Sequence, residues 1–279
     1  MEISRIVCAY FSPTGGTKRV AMALQQGFIA GIEGYSPQVM TYNCLTPERR
    51  ATRVPEFTEH DLLVFTYPVF YGRMPWALQN WPELKGNGAS AIVVSVYGNR
   101  AIEDGERETM AFLRDHGFKI VGRIEAIAEH SLCRTLAAHR PDDADKANLH
   151  SMAQSIMQAI VKAQKAGQEL KTMSFDDTTP LKARAPAVCI PQPLDLETCN
   201  NDCQQRCVVM CPCGIINPET LKVEPENQQE CMNCTACMHV CLSKTRGYTP
   251  EVQAALKAKM AKVQAANSEP KAYVFELAH

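Results

Sequence analysis

Five short apolar runs punctuate the first half of the chain, at residues 3–11, 37–42, 61–68, 90–97 and 119–125, each rich in Val, Ile, Leu, Phe or Tyr. Runs of this length that are apolar almost throughout predict strands buried on both faces, as in a parallel sheet covered by helices. The stretches between them are long enough to hold crossover helices. Apolar positions at Val20, Leu24 and Phe28 recur at helical spacing and predict a helix after the first strand. Residues 142–165 are amphipathic in the same way and predict the last helix of this unit. The order β, α, β, α predicts an α/β fold built on a doubly wound parallel sheet over residues 1–166.

The pattern then changes. From Gly167 the chain turns polar and proline-dotted, with Pro180, Pro186, Pro191 and Pro193, and residues 167–198 read as a linker. Residues 199–245 are dense in cysteine and form a second, smaller unit. Residues 246–279 form a tail in which 251–265, rich in Ala and Lys, predict a surface helix and 272–277 a short strand. No repeat is evident beyond two cysteine-rich halves of the second unit.

At 279 residues the chain exceeds an average domain, which agrees with a large unit plus a small one. With 46% hydrophobic and 21% charged residues, a disordered or fibrous chain is excluded. A net charge of −1 gives no basic footprint for nucleic acid or an anionic membrane. No apolar run approaches the roughly 20 residues that span a bilayer, and the start MEISRIVCAYF lacks the layout of a signal peptide. The expectation is a cytoplasmic protein without a membrane span.

Thirteen cysteines in such a chain point to metal rather than disulfides, because nine of them crowd between 199 and 241. Cys8, Cys44, Cys133 and Cys189 stand apart and read as buried small hydrophobes. The second half of the crowd runs Cys231-Met-Asn-Cys234-Thr-Ala-Cys237-Met-His-Val-Cys241, the C-x2-C-x2-C-x3-C spacing of bacterial ferredoxins. Two-residue gaps wrap three thiolates round one face of an iron–sulfur cube, and the longer gap sends the fourth to another cube. The first half runs Cys199-x3-Cys203-x3-Cys207-x3-Cys211-Pro212 and departs from that spacing, with an additional Cys213 beyond the proline. The resemblance to two-cluster ferredoxins implies crossed ligation: Cys231, Cys234 and Cys237 with Cys211, and Cys199, Cys203 and Cys207 with Cys241. The irregular half leaves open a distorted cluster, use of Cys213, or no cluster, and a four-thiolate structural zinc is the alternative chemistry.

The first apolar run breaks into Ser12-Pro13-Thr14-Gly15-Gly16-Thr17 before the predicted helix. A strand, glycine loop and helix N-terminus together make an anion site, since glycines let backbone N–H groups turn inward and the helix presents its positive end. The loop lacks the endings of a nucleoside-triphosphatase loop or a dinucleotide fingerprint. Two further loops at predicted strand ends carry aromatic and turn residues: Tyr67, Pro68, Val69, Phe70, Tyr71 and Gly72, and Tyr97, Gly98, Asn99 and Arg100. With these three loops in order, residues 1–166 resemble the flavodoxin family. That resemblance implies a strand order 2-1-3-4-5, FMN phosphate on Ser12, Thr14, Gly15, Gly16 and Thr17, and the flavin ring between the other two loops. The aromatics read alternatively as core, and Ser12 as a plain helix cap.

The whole chain is similar to flavodoxin/ferredoxin fusion proteins of anaerobic bacteria, which implies an electron carrier holding FMN and two [4Fe–4S] clusters, with a redox protein as donor or acceptor. A second class is a reductase whose clusters feed FMN for a small-molecule substrate, with Arg73, Asn99 and Arg100 as polar candidates and His130 as an outsider. A third is a sensor using zinc and an empty flavodoxin-like fold. No dedicated catalytic acid stands out in the loops, no nicotinamide fingerprint is present, and the oligomeric state is open.

Overall fold

The computed structural model describes residues 3–184, 189–199, 203–269 and 271–278. Glu2, Pro186 of the proline-dotted run and residues 200–202 of the irregular cysteine half lie outside the described residues. The five apolar runs form parallel strands β1 (Arg5–Tyr10), β2 (Gln38–Asn43), β3 (Asp61–Pro68), β4 (Ser90–Tyr97) and β5 (Lys119–Ile127). Their spatial order is β2-β1-β3-β4-β5, the flavodoxin-like doubly wound order, which places loops from β1 and β3 at a topological switch point. The central strands β3 and β4 are buried along almost their whole length, while β2, at the edge, carries exposed positions.

One face of the sheet is covered by α1 (Gly16–Ala30) and, from further along the chain, a 23-residue helix at Asp143–Lys165. These two helices approach so closely that a Cβ at Gly27 would lie 2.2 Å from the His150 carbonyl oxygen. The opposite face is covered by α3 (Gly105–Asp115), while the short α2 (Pro47–Thr52) accepts from the Tyr42 hydroxyl and from Trp81 Nε1 on that side. The long helix is α4; its N-cap Asp142 accepts from the Asp145 amide in a capping box.

The connection from β3 to β4 differs from the expected helical crossover. It forms only a 3₁₀ turn at Trp76–Leu78. Pro75, Pro82, Gly86 and Gly88 break any longer helix there. Trp76, Leu78, Trp81 and Leu84 are buried instead and fill the layer that a helix would have filled. The proline-dotted run is laid against the same unit. The Met173 amide donates to the Ile120 carbonyl at 2.7 Å, and Arg107 donates to the carbonyls of Thr179 and Pro180 at 2.6 and 3.1 Å.

The cysteine-rich segment contains β6 (Gln192–Pro193), α5 (Arg206–Val209), α6 (Ala236–His239) and β7 (Arg246–Gly247), with β6 and β7 pairing antiparallel. Its own core is small: Cys207, Cys211, Ile216 and Val223. It borrows from the sheet unit, because Met232, Cys234 and Ala236 belong to the same buried cluster as Phe11, Leu45 and Trp76. Three hydrogen bonds fasten the units: Arg50 to the Pro212 carbonyl at 2.7 Å, Trp76 Nε1 to the Glu230 carbonyl at 2.9 Å, and Asn233 Nδ2 to the Tyr71 hydroxyl at 2.9 Å.

The tail helix, α7 (Pro250–Ala266), lays Leu256, Met260 and Val263 against Leu132, Cys133 and Leu136. The expected short strand is β8 (Val274–Leu277), and it joins the main sheet as a sixth strand, antiparallel to β5. Among the described residues no helix is long and apolar enough to cross a membrane.

Candidate functional site

A cavity of about 310 Å³ opens where the carboxyl ends of β1, β3, β4 and β5 meet α7. Thr14, Gly16 and Thr17 from the glycine loop line it, with Pro68, Val69, Phe70, Tyr71 and Gly72 from the loop after β3, and Tyr97, Gly98 and Arg100 from the loop after β4. The glycine loop is shaped for an anion. Gly15, at φ 91°, is the N-cap of α1 and has no side chain with which to cap it, and no acidic residue occupies the first turn. The Ser12 hydroxyl accepts from the Lys18 amide at 2.9 Å, so it caps this loop internally and does not line the cavity. Gly16 is where the loop meets β5: an added Cβ would lie 3.1 Å from that of Ala128.

Besides Ser12, three of the expected residues do not line the cavity. Tyr67 is fully buried in the core: its hydroxyl pairs with Ser95 Oγ at 2.6 Å and donates to the Gly105 carbonyl at 2.9 Å. Asn99 donates to the carbonyls of Asn267 and Glu269 and accepts from the Lys271 amide, so it fastens the tail. Gly15 supplies backbone shape and does not line the cavity. Arg73, read as a polar candidate, is buried in a two-pronged ion pair with Glu108, at 2.7 and 2.8 Å. Arg100 does reach the cavity and pairs with Glu103.

Other lining residues were not singled out by sequence, namely Ala128, Glu129, Ser131 and Leu132 after β5, Leu256, Lys259, Met260 and Val263 of α7, Cys189 and Met232. His130, the outsider, also lines the cavity. Its Nδ1 accepts from the amides of Leu132 and Cys133, both at 3.2 Å, which fixes the neutral ring as the Nε2–H tautomer. Burial, reinforced by Arg100, holds its pKa below the ordinary value. A signal for the β5 loop existed in the sequence, since every parallel strand of a doubly wound sheet ends at the same edge.

Two smaller cavities are lined by thiols. Around the first stand Cys211, Cys213, Cys231, Cys234 and Cys237, with Met232, which also walls the large cavity. Around the second stand Cys199, Cys203, Cys207 and Cys241. The additional Cys213 thus stands with the regular half and not with the irregular one. All thirteen cysteines are free of disulfides, and Cys8, Cys44, Cys133 and Cys189 are buried. Among the described residues no three His, Cys, Asp or Glu side chains converge as the ligands of a single metal ion do. The thiols ring cavities instead.

Burial pushes the Cys231 thiol up to about 12 and the Cys234 thiol well above its ordinary value. Cys241 runs the other way: burial opposes ionisation, but hydrogen bonds from Ser243, Thr245 and neighbouring amides outweigh it and lower the pKa. Arg50, 7% exposed, stands beside the first thiol cavity and donates to the carbonyls of Cys44, Leu45 and Pro212. Among the described residues it meets no carboxylate.

No protein-family model matches the chain, and no curated protein matches it either. Solved structures do. A flavodoxin from the domain Archaea is 15% identical, with a TM-score of 0.40 over 57% of this chain and 99% of its own. A flavodoxin from Streptococcus pneumonia is 15% identical, with a TM-score of 0.37 over 56% of this chain and 99% of its own. An FMN-dependent NADH-azoreductase from Bacillus anthracis, in complex with FMN, is 12% identical, with a TM-score of 0.38 over 57% and 99%.

Proposed function

We propose that this chain is an iron–sulfur flavoprotein that passes electrons between FMN in the large cavity and two [4Fe–4S] clusters in the thiol cavities. The observation that carries the reading is Met232: flanked by Cys231 and Asn233, it walls both the large cavity and the first thiol cavity. Whatever occupies these two cavities meets the same residue. When bound, clusters supply single electrons and FMN takes one or two, so the pair links one-electron carriers to two-electron chemistry.

The residues fit both groups. The start of α1 at Gly15, with Thr14 and Thr17 beside it, offers backbone amides and hydroxyls to a phosphate. Phe70, Tyr71 and Tyr97 offer aromatic walls to a flat ring, with Tyr71 held by its stack on Trp76 at 6.3 Å and by Asn233. For the clusters, Cys231, Cys234, Cys237 and Cys211 would hold the one nearer the flavin, and Cys199, Cys203, Cys207 and Cys241 the farther one. A buried guanidinium without a carboxylate, such as Arg50, is costly unless anions face it, and thiolate-bound clusters supply them.

A reductase of a small molecule is the second reading. It is favoured by Lys259 and by His130 Nε2, which bring to the cavity wall polar groups without a hydrogen-bond partner among the described residues. Either way a redox protein would exchange electrons at the farther thiol cavity. Anaerobic reductive titration of the loaded chain tests the proposal. Uptake of about four electrons per chain, two by flavin and one by each cluster, is expected. Uptake of about two, with flavin bleaching alone, would contradict it.

A further inference from the structure

Arg246 is 5% exposed, yet among the described residues it meets no carboxylate. β7 holds its backbone against β6, and its side chain lines both thiol cavities. Nη1 donates to the Leu221 carbonyl at 2.6 Å and lies 4.0 Å from Cys207 Sγ; Nη2 donates to the Pro191 carbonyl at 3.0 Å. Nε is buried and has no hydrogen-bond partner among the described residues. Cys237 lines the first thiol cavity together with Arg246. A guanidinium does not deprotonate at any pH the protein meets, so this is a buried positive charge with a spare donor between two rings of sulfur. Carbonyl oxygens satisfy N–H groups but do not neutralise a charge.

We propose that Arg246 is a shared counter-charge: a positioning residue that faces Cys207 of one cluster and Cys237 of the other, and that raises the reduction potential of both. The inference rests on the two-cluster reading. Hydrogen bonds and charge at the sulfurs favour the more negative, reduced form of a cluster, and one guanidinium at both cavities ties the two potentials to one side chain. Each reduction is a one-electron transfer from the titrant to a cluster, with no bond made or broken.

The test is a dithionite titration of the loaded chain followed by EPR, in the wild type, Arg246→Gln and Arg246→Lys, with iron content measured in each. Wild-type chain without iron would defeat the cluster reading itself, before any variant is compared. With iron present, Arg246→Gln is expected to lower both one-electron equilibria at least tenfold, about 59 mV apiece, and Arg246→Lys to lower both by less. Both potentials unchanged in Arg246→Gln, or only one displaced, would overturn the shared role. If Arg246→Gln fails to take up iron, Arg246→Lys decides: full loading with both potentials lowered supports the counter-charge, and failure to load, or unchanged potentials, refutes it.

Discussion

β3 and β4 bury apolar side chains along nearly all of their length, and α1 and α4 on one face and α3 with Trp76, Leu78, Trp81 and Leu84 on the other complete their cover. In the cysteine unit the two described α-helices are four residues each, and the buried apolar residues of its own cluster, cysteines aside, are Ile216 and Val223. The sheet unit is held by the apolar area it removes from water. So small a core as that of the cysteine unit is of the kind that leans on metal or on a neighbour, and here Met232, Cys234 and Ala236 already lean on the sheet. The two regions differ in what holds them, and the proposed redox path lies where they touch.

Removing iron with a chelator should separate the regions most sharply. The amides of Met210, Cys211 and Cys241, bonded within the thiol-bearing turns, should exchange rapidly, while those of β3 and β4 stay protected. Hydrogen exchange with equal loss in both regions would break the contrast. Next in size, Gly15→Glu forces a side chain into φ 91° and adds a negative charge at the start of α1, beside the proposed phosphate site. It should abolish flavin binding and leave iron content unchanged, measured by absorbance and iron assay; retained stoichiometric flavin would count against the phosphate site. Cys234→Ala should remove about four of about eight irons and spare the flavin, and unchanged iron would contradict the ligand assignment.

Smaller still is Trp76→Phe, which deletes the bond to the Glu230 carbonyl. It should cost about 1 kcal/mol, read as faster exchange in the cysteine unit than in the sheet. The mildest effect is on pH. Because burial keeps the His130 pKa low, the unfolded chain takes up a proton near pH 6.5 before the folded chain does. This contribution to stability is whole above that pH and declines as pH falls through it. Denaturation of His130→Phe should lose that part of the slope.

Much of the sheet unit was legible because its signals are local. Continuous apolar runs mark buried strands, and Gly15-Gly16 after a strand marks the first loop. The β3–β4 crossover was not, since Trp76, Leu78, Trp81 and Leu84 fill a layer without helical periodicity. Tyr67 and Asn99 were assigned to the cavity by their neighbours in sequence. Alternation along β3 turns Tyr67 into the core, and Asn99 serves a tail some 170 residues away. The walls contributed by α7, Cys189 and Met232 come from distant segments, and α7 has little amphipathic pattern to announce which face is covered. The thiol spacing was explicit, but the grouping of Cys213 and the buried Arg50 and Arg246 emerged only once the chain was folded.

The measurement that bears most directly on the central claim is the cofactor content of the chain purified without oxygen, by flavin, iron and sulfide assay alongside the visible spectrum. The account predicts about one FMN with about eight irons and eight sulfides per chain. Zinc without flavin would contradict it.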